Sequence, residues 1–330
     1  MDKPYLLFLG DARDQLAAKG SRGVFDWRPD DCLGQIRLAG CKADLGIADM
    51  TIAEAAGAGA KTMIVGVANA GGFIPDNWID TVTAALDAGM DVAAGMHTRL
   101  ADIEAIAKAA TRNGRQLFDV RHPTRDFAVG KGTKRSGKRL LAVGTDCSCG
   151  KMYTTLAIER EMKAQGLNAD FRATGQSGIF IAGEGIAVDA VVADFISGCI
   201  EWLTPDNDDD HWDIIEGQGS LFHPSFAGVS IGLIHGAQPD ALVLCHEPTR
   251  KTMRGLPDRG LPGFAECMEA NLNAARLTNP NVRFVGASVD TSRLAADARD
   301  PFLATMESEI DLPCVDPLIN GVARIIDNLA

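Results

Sequence analysis

Short apolar runs alternate with amphipathic stretches along the first third of this 330-residue chain. The runs YLLFLG (5–10), KTMIVGVANAGG (61–72) and MDVAAGM (90–96) are typical of strands that are buried on both faces of a parallel sheet. The intervening stretches NWIDTVTAALDAG (77–89) and RLADIEAIAKAATRNG (99–114) place apolar residues at helical spacing. This alternation predicts a parallel α/β sheet with helices on its faces.

A second α/β series starts near residue 139. The strand RLLAVGTD (139–146) runs into a glycine-rich loop, and MYTTLAIEREMKAQGL (152–167) follows as an amphipathic helix. We interpret VDAVVADFISGCIEWLTP (188–205) as a single helix. The other strands predicted for this series are 169–175, 213–222, 240–248 and 283–292.

The stretch TRDFAVGKGTKRSGKR (124–139) separates the two series. It is rich in Gly, Lys and Arg and poor in apolar residues, which is typical of a linker. We therefore predict two domains, residues 1–133 and 134–330. We interpret the six basic residues as a solvated loop, and the alternative is that they help to bind an anionic ligand at the domain interface.

Charge and cysteine content limit the possible partners. A net charge of −12 argues against nucleic-acid or anionic-membrane surfaces, because both require a basic face. No apolar run approaches membrane-spanning length, and the N-terminal run is too short for a signal peptide. The eight cysteines lie mostly in apolar or glycine-rich surroundings, which suits reduced thiols. We expect a cytoplasmic protein without a nucleic-acid or membrane partner.

The most informative motif is GTDCSCGKMYTT (144–155), which follows a predicted strand and opens a helix. Such a loop can hold phosphate through its backbone N–H groups, the helix dipole and a lysine, here Lys151. A Walker A loop has Ser or Thr after its lysine to bind Mg²⁺, whereas this chain has Met152. Because a thioether is a poor ligand for a hard cation, we expect a phosphate site that requires no metal.

The loop resembles that of dethiobiotin synthetase and its P-loop relatives. Five residues separate Gly144 from Gly150, one more than in a Walker A loop, and IIEGQGSLFHP (214–224) is similar to the E-G-x-G segment of those proteins. The segment DLPCVDPL (311–318) resembles their nucleotide-base region. The resemblance implies a P-loop α/β domain after the N-terminal Rossmann-like parallel-sheet domain.

The whole chain resembles the D-glutamate N-acetyltransferases, a two-domain bacterial family long of unknown function. GTDCSCGKMYTT, residues 173–201 and EGQGSLFHP carry this resemblance. It implies transfer of an acetyl group from acetyl-CoA to the amino group of D-glutamate, in D-amino-acid breakdown. CoA fits a loop without a metal ligand, because its diphosphate needs only anchoring. The alternatives are an ATP-dependent ligase or kinase like dethiobiotin synthetase, and a CoA- or nucleotide-binding protein without catalysis.

Acetyl transfer to an amine needs an anchored donor and a general base. For the base we consider Glu216, His223 and Asp194, although a salt bridge or a helix cap is the simpler interpretation of Asp194, and a lone histidine is more often a structural residue. The residues expected to hold the coenzyme are Thr145, Asp146, Cys147, Ser148, Cys149, Gly150, Lys151, Met152 and Tyr153.

The acceptor carboxylates need cations or N–H groups. We expect Arg172, Gln176, Ser177 and Arg250 to supply them, with surface solvation as the alternative for each arginine. Cys147 and Cys149 leave open a ping-pong route through an acyl-cysteine. The Rossmann-like domain lacks a complete G-x-G-x-x-G, so we expect it to contact substrate or form a dimer surface, with the protein a homodimer.

Overall fold

The computed structural model describes residues 1–69 and 71–329, so Ala70 in the predicted strand 61–72 and Ala330 lie outside the described residues. The chain divides into two compact units. The first comprises residues 1–124 and 175–190, and the second comprises residues 125–174 and 191–330. The first unit therefore includes a segment that the sequence-based division assigns to the second domain.

The first unit is built on a five-stranded parallel sheet in the order β2-β1-β3-β4-β5. Its strands are β1 (Tyr5–Gly10), β2 (Cys32–Arg37), β3 (Thr62–Val65), β4 (Asp91–Ala94) and β5 (Leu117–Asp119). The helices between them are α1 (Lys19–Trp27), α2 (Ile52–Gly57), α3 (Asp76–Asp87) and α4 (Glu104–Asn113). The strands β1, β3 and β4 are buried along their whole length, as their apolar runs predict.

The second unit is built on a six-stranded parallel sheet in the order β13-β12-β9-β6-β8-β7. The strands of the C-terminal half are β6 (Lys138–Gly144), β7 (Ala169–Arg172), β8 (Trp212–Ile215), β9 (Ala241–His246), β10 (Thr252–Met253), β11 (Leu256–Gly260), β12 (Arg283–Val289) and β13 (Cys314–Val315), of which β10 and β11 form a separate antiparallel hairpin. The helices of the C-terminal half are α5 (Lys151–Ala164), α6 (Gln176–Ala182), α7 (Ile196–Leu203), α8 (Ala227–Ala237), α9 (Phe264–Arg276), α10 (Ala296–Ile310) and α11 (Ala323–Asp327), of which α6 belongs to the first unit. The predicted fold class, two parallel α/β units, is confirmed.

The pattern of apolar residues does not predict two of the helices. The helix α6 packs against α1 in the first unit, and the sequence shows it only as a turn. The helix α10 buries only Leu303 and Met306 and has Pro301 inside it, so it shows no apolar stripe. Among the residues that the structure describes, no helix has both the length and the apolarity to cross a bilayer.

The predicted single helix over 188–205 is wrong. Two separate 3₁₀ turns, Val188–Ala190 and Ala193–Phe195, precede α7. The backbone of Val192 between them is extended, with φ −58° and ψ 136°, which ends any continuous helix. Asp194 therefore lies in an exposed turn and not on an apolar helix face.

The interpretation of 124–139 as a solvated loop is wrong for two of its six cations. Arg135 and Arg139 are buried, 8% and 1% exposed. Arg135 donates to the carbonyl oxygen of Gly236 at 2.8 Å and to the Thr204 hydroxyl at 3.1 Å, at the C-terminal ends of α8 and α7. The guanidinium satisfies an orphan carbonyl at the end of α8 and opposes the negative ends of both helix dipoles.

Candidate phosphate site and its surroundings

The loop between β6 and α5 has the backbone of an anion nest. Ser148 has φ +49° and Gly150 has φ +96°, so left-handed residues are interspersed within the turn. Such alternation turns successive N–H groups toward one concave side, and the N-terminus of α5 adds the positive end of a helix dipole. The sheet order places this loop on β6, with β8 and β9 as the neighbouring strands.

Lys151 supplies a cation inside the loop. It is only 6% exposed, and its Nζ donates to the carbonyl oxygen of Asp146 at 2.8 Å. Gly217, just after β8, lies directly against it: a Cβ there would be 2.9 Å from Lys151 Cδ and 1.7 Å from the carbonyl oxygen of Ala142. Position 217 therefore has to be glycine, chiefly because a Cβ would overlap the backbone carbonyl of Ala142 on β6.

The two threonines nearest Met152 on α5 direct their hydroxyls back to protein atoms. The Thr154 hydroxyl binds the carbonyl oxygen of Gly150 at 3.0 Å and the Ser288 hydroxyl at 2.7 Å. The Thr155 hydroxyl donates to the carbonyl oxygens of Lys151 and Met152, both at 3.0 Å. Both threonines are thus bonded back into the helix or the adjacent strand.

Asp146 is the charged centre of the loop. It is 1% exposed, and its Oδ2 accepts from Arg250 Nη1 at 2.7 Å and from the backbone N–H of Arg254 at 2.9 Å. Burial raises the pKa of this carboxyl, but the hydrogen bonds from Arg254 and Arg250 outweigh burial and leave its pKa below the ordinary value. Asp146 is therefore an ionised carboxylate that is already paired.

His223 lies beside Asp146 and Cys147. The ligand atoms of these three residues lie within 4.8 Å of one another, a spacing that a metal ion could use. However, both oxygens of Asp146 accept hydrogen bonds, and His223 Nε2 faces the carbonyl oxygen of Arg254 at 3.0 Å. Its Nδ1 accepts from the N–H of Ser225 at 3.3 Å, so the ring is in the Nε2–H form. The group fits a metal poorly because this imidazole has no free lone pair to offer.

Glu216 lies at the end of β8 and is 5% exposed. Its Oε2 accepts from the N–H of Thr174 at 2.9 Å, while the Thr174 hydroxyl donates to the Glu216 carbonyl oxygen at 2.6 Å. Because Gly217 lies against Lys151, this carboxylate is at the same edge of the sheet as the phosphate loop. Asp194, by contrast, has none of these features in its exposed turn.

The predicted acceptor-binding residues fall in different places. Arg172 pairs with buried Asp213, with 2.6 Å between Nε and Oδ1. Gln176 and Ser177 form the first turn of α6 in the first unit, where Gln176 lies against Gly95, the residue after β4. Arg250 lies on the phosphate loop. The two guanidinium groups therefore already have partners within the chain.

The two loop cysteines are in different surroundings. Burial and then the charge of Asp146 raise the pKa of Cys147. Cys149 is 1% exposed, and its thiol lies 3.1 Å from the carbonyl oxygen of Asp146. A thiol held against a carbonyl oxygen and a thiol with a raised pKa are both poor nucleophiles.

His246 contacts the loop in a way that the sequence does not indicate. Its Nδ1 lies 3.0 Å from the Thr145 hydroxyl, and its ring packs edge-on against Phe264 and stacks on Phe302. Burial lowers the pKa of His246 to about 4, so the imidazole is neutral at physiological pH. Its position at the end of β9 was the available signal, because that strand neighbours the loop's own strand.

In the second unit an inner strand of a parallel sheet leads into a lysine-containing anion nest, and a helix follows directly. This arrangement defines a P-loop domain, and the first unit is Rossmann-like. The family models agree: the P-loop domain of DUF1611, a domain of unknown function, matches residues 126–326, and its Rossmann-like N-terminal domain matches residues 36–123. The chain belongs to the DUF1611 family.

Relatives cover the chain from end to end. A protein of Tritonibacter scottomollicae named D-glutamate N-acetyltransferase is 53% identical over 330 residues, all of this chain and 99% of that protein. One of the same name from Pseudoalteromonas sp. is 49% identical over 99% of this chain and 98% of its own length. The crystal structure of a DUF1611 protein from Anabaena variabilis superposes with TM-score 0.88 at 28% identity, covering 99% of both chains. The resemblance inferred from sequence is confirmed.

Proposed function

We propose that this protein is a D-glutamate N-acetyltransferase that takes its acetyl group from acetyl-CoA. The proposed reaction and the proposed acceptor both rest on one observation: the chain is 53% and 49% identical, over almost its full length, to two proteins of that name. As part of the same proposal, we expect the reaction to serve D-amino-acid breakdown. Assembly as a homodimer and a cytoplasmic location stay predictions.

The choice of acetyl-CoA as donor is supported by the phosphate loop. The nest and Lys151 suit a diphosphate, and Met152 with its two back-bonded threonine neighbours offers no hydroxyl to a metal. CoA carries a diphosphate that is held and not cleaved, so the loop needs only to anchor it. An ATP-dependent ligase or kinase would need metal-assisted chemistry at that same position.

We favour direct attack by the amine on the thioester. The buried thiol of Cys149 and the raised pKa of Cys147 disfavour an acyl-cysteine. The base must accept the proton that the ammonium loses. We place Glu216 ahead of His223 because the one lone pair of the His223 ring accepts from Ser225, whereas a carboxylate has about four acceptor sites, and ahead of Asp194 because that residue is exposed.

The test is thiol release from acetyl-CoA in EDTA with single amino acids of each hand. We expect release with D-glutamate, little with L-glutamate, and no change when Mg²⁺ is added. The absence of thiol release with every acceptor, or turnover that needs Mg·ATP, would overturn the proposal. Glu216→Gln should lower kcat and leave the KM for acetyl-CoA near the wild-type value, since the residue would act on the acceptor. A rise in that KM alone would remove Glu216 from the role of base.

A further inference from the structure

Arg250 holds the outside of the phosphate loop at three oxygens. Its Nη1 donates to Asp146 Oδ2 at 2.7 Å and to the carbonyl oxygen of Cys147 at 2.6 Å. Its Nη2 donates to the carbonyl oxygen of Ser148 at 2.5 Å. One guanidinium thus fixes two consecutive peptide groups and the carboxylate that precedes them.

These contacts determine where the loop N–H groups point. In a trans peptide the C=O and N–H bonds are antiparallel. With the Cys147 carbonyl turned to Arg250, the N–H of Ser148 points away from it, and with the Ser148 carbonyl turned likewise, so does the N–H of Cys149. Two donors are thereby aimed away from the guanidinium, in a loop whose backbone already has the form of a nest.

The guanidinium is itself held in place from behind. Glu247, 2% exposed at the end of β9, lies 3.3 Å from Arg250 Nε through its Oε2. Its other oxygen accepts from the N–H and hydroxyl of Thr249 at 2.8 and 2.5 Å. The guanidinium therefore donates a hydrogen bond to Asp146 on one side and forms an ion pair with Glu247 on the other, a geometry that lysine cannot reproduce with a single ammonium.

We propose that Arg250 is a positioning residue for the donor's diphosphate: it orients the nest from outside and does not bind the substrate carboxylates. The inference rests on the proposed function and deepens it. It replaces the prediction that Arg250 pairs with glutamate, because Nη1 already donates both of its hydrogens to the loop and Nη2 one, which leaves no pair of Nη donors for a carboxylate. The physical gain is preorganisation, since the donors need not be turned when the ligand arrives.

The experiment compares two donors in three variants. Arg250→Ala and Arg250→Lys are assayed with acetyl-CoA and with S-acetylpantetheine, a thioester without the diphosphate. Arg276→Ala is the charge-matched control, an exposed arginine at the C-terminal end of α9. Because α9 precedes β12 in a parallel sheet, that end lies at the sheet edge opposite the loop.

We expect the KM for acetyl-CoA to rise about tenfold or more in both Arg250 variants, with S-acetylpantetheine kinetics and the Arg276→Ala control unchanged. Equal losses with both donors would show a merely structural role and overturn the proposal. Full rescue by lysine would also overturn it, because a simple attraction of charge would then suffice.

A second readout does not depend on turnover. Binding of ADP in EDTA, measured by calorimetry, should weaken about tenfold in Arg250→Ala and in Arg250→Lys. If wild type binds ADP and the variants bind it equally well, the positioning role fails. If the variants bind it less well but wild type releases no thiol from acetyl-CoA with any acceptor, the transferase proposal fails while the role of Arg250 at the nest stands.

Discussion

Replacing Lys151 by methionine should weaken acetyl-CoA binding and leave the stability of the fold almost unchanged. Lys151 is 6% exposed, and its ammonium donates to one backbone oxygen, that of Asp146, at 2.8 Å. Methionine keeps most of the volume of the side chain, and the Asp146 oxygen still accepts from Cys149 at 3.1 Å. A lost neutral acceptor bond and a relieved burial of charge oppose each other, so we expect the free energy of unfolding to change by less than about 1 kcal/mol.

The effect on donor binding should be much larger. A hydrogen bond from a charged donor to a phosphate contributes about 1.5–3 kcal/mol, which corresponds to roughly 10- to 150-fold in the KM for acetyl-CoA. The value of kcat should change far less, because the diphosphate is anchored and does not react. Rising KM with constant kcat is the sign of lost uniform binding.

The assay is initial-rate thiol release over a range of acetyl-CoA concentrations in EDTA, together with chemical unfolding of both proteins. Lys163→Met, on the same helix but half exposed and paired with Glu159, is the matched control and should leave KM unchanged. An unchanged KM in Lys151→Met, or a loss confined to kcat, would refute the anchoring role. So would an equal change in the control.

Three further predictions concern the surroundings of the loop. Met152→Thr should not hydrolyse Mg·ATP, since Asp146 stays committed to Arg250; measurable phosphate release would show that the remaining ATPase machinery is intact. Cys147→Ala should keep kcat within about twofold and no acetylated enzyme should appear by mass spectrometry; an acetyl adduct on Cys147 in the wild type would instead establish the ping-pong route. Burial lowers the pKa of His246 from 6.5 to about 4, so the unfolded chain takes up a proton that the native state refuses. Protonation of His246 in the unfolded chain therefore lowers the free energy of unfolding. The effect is absent above about pH 6.5 and grows to about 3 kcal/mol as pH falls toward 4. Chemical unfolding between pH 7 and 4.5 should therefore show a smaller loss in His246→Gln than in wild type, and parallel losses would contradict the assignment.

The features that sequence predicts well here are local. Twelve consecutive residues, 144–155, contain the turn, the lysine and the missing metal ligand, and the flanking strand and helix follow from their own apolar periods. The parallel sheets are predicted equally well from the sequence, because strands that are buried on both faces, such as β1 and β3, appear as continuous apolar runs. The helix predicted over 188–205 is wrong because that prediction also relied on apolar residues alone, and these do not reveal that the backbone of Val192 is extended.

The partners of the loop were decided by tertiary structure. Arg250 lies 104 residues from Asp146 in the chain, and no pattern in EPTRKTMRG indicates that its guanidinium turns back onto loop carbonyls. The sheet order places β9 beside β6, which brings Glu247, Arg250 and His246 to the nest. Likewise, Asp213 engages Arg172 only because β7 and β8 pair. The conformation of the phosphate loop follows from neighbours in sequence, whereas the choice of partner for a long charged side chain follows from which strands lie side by side.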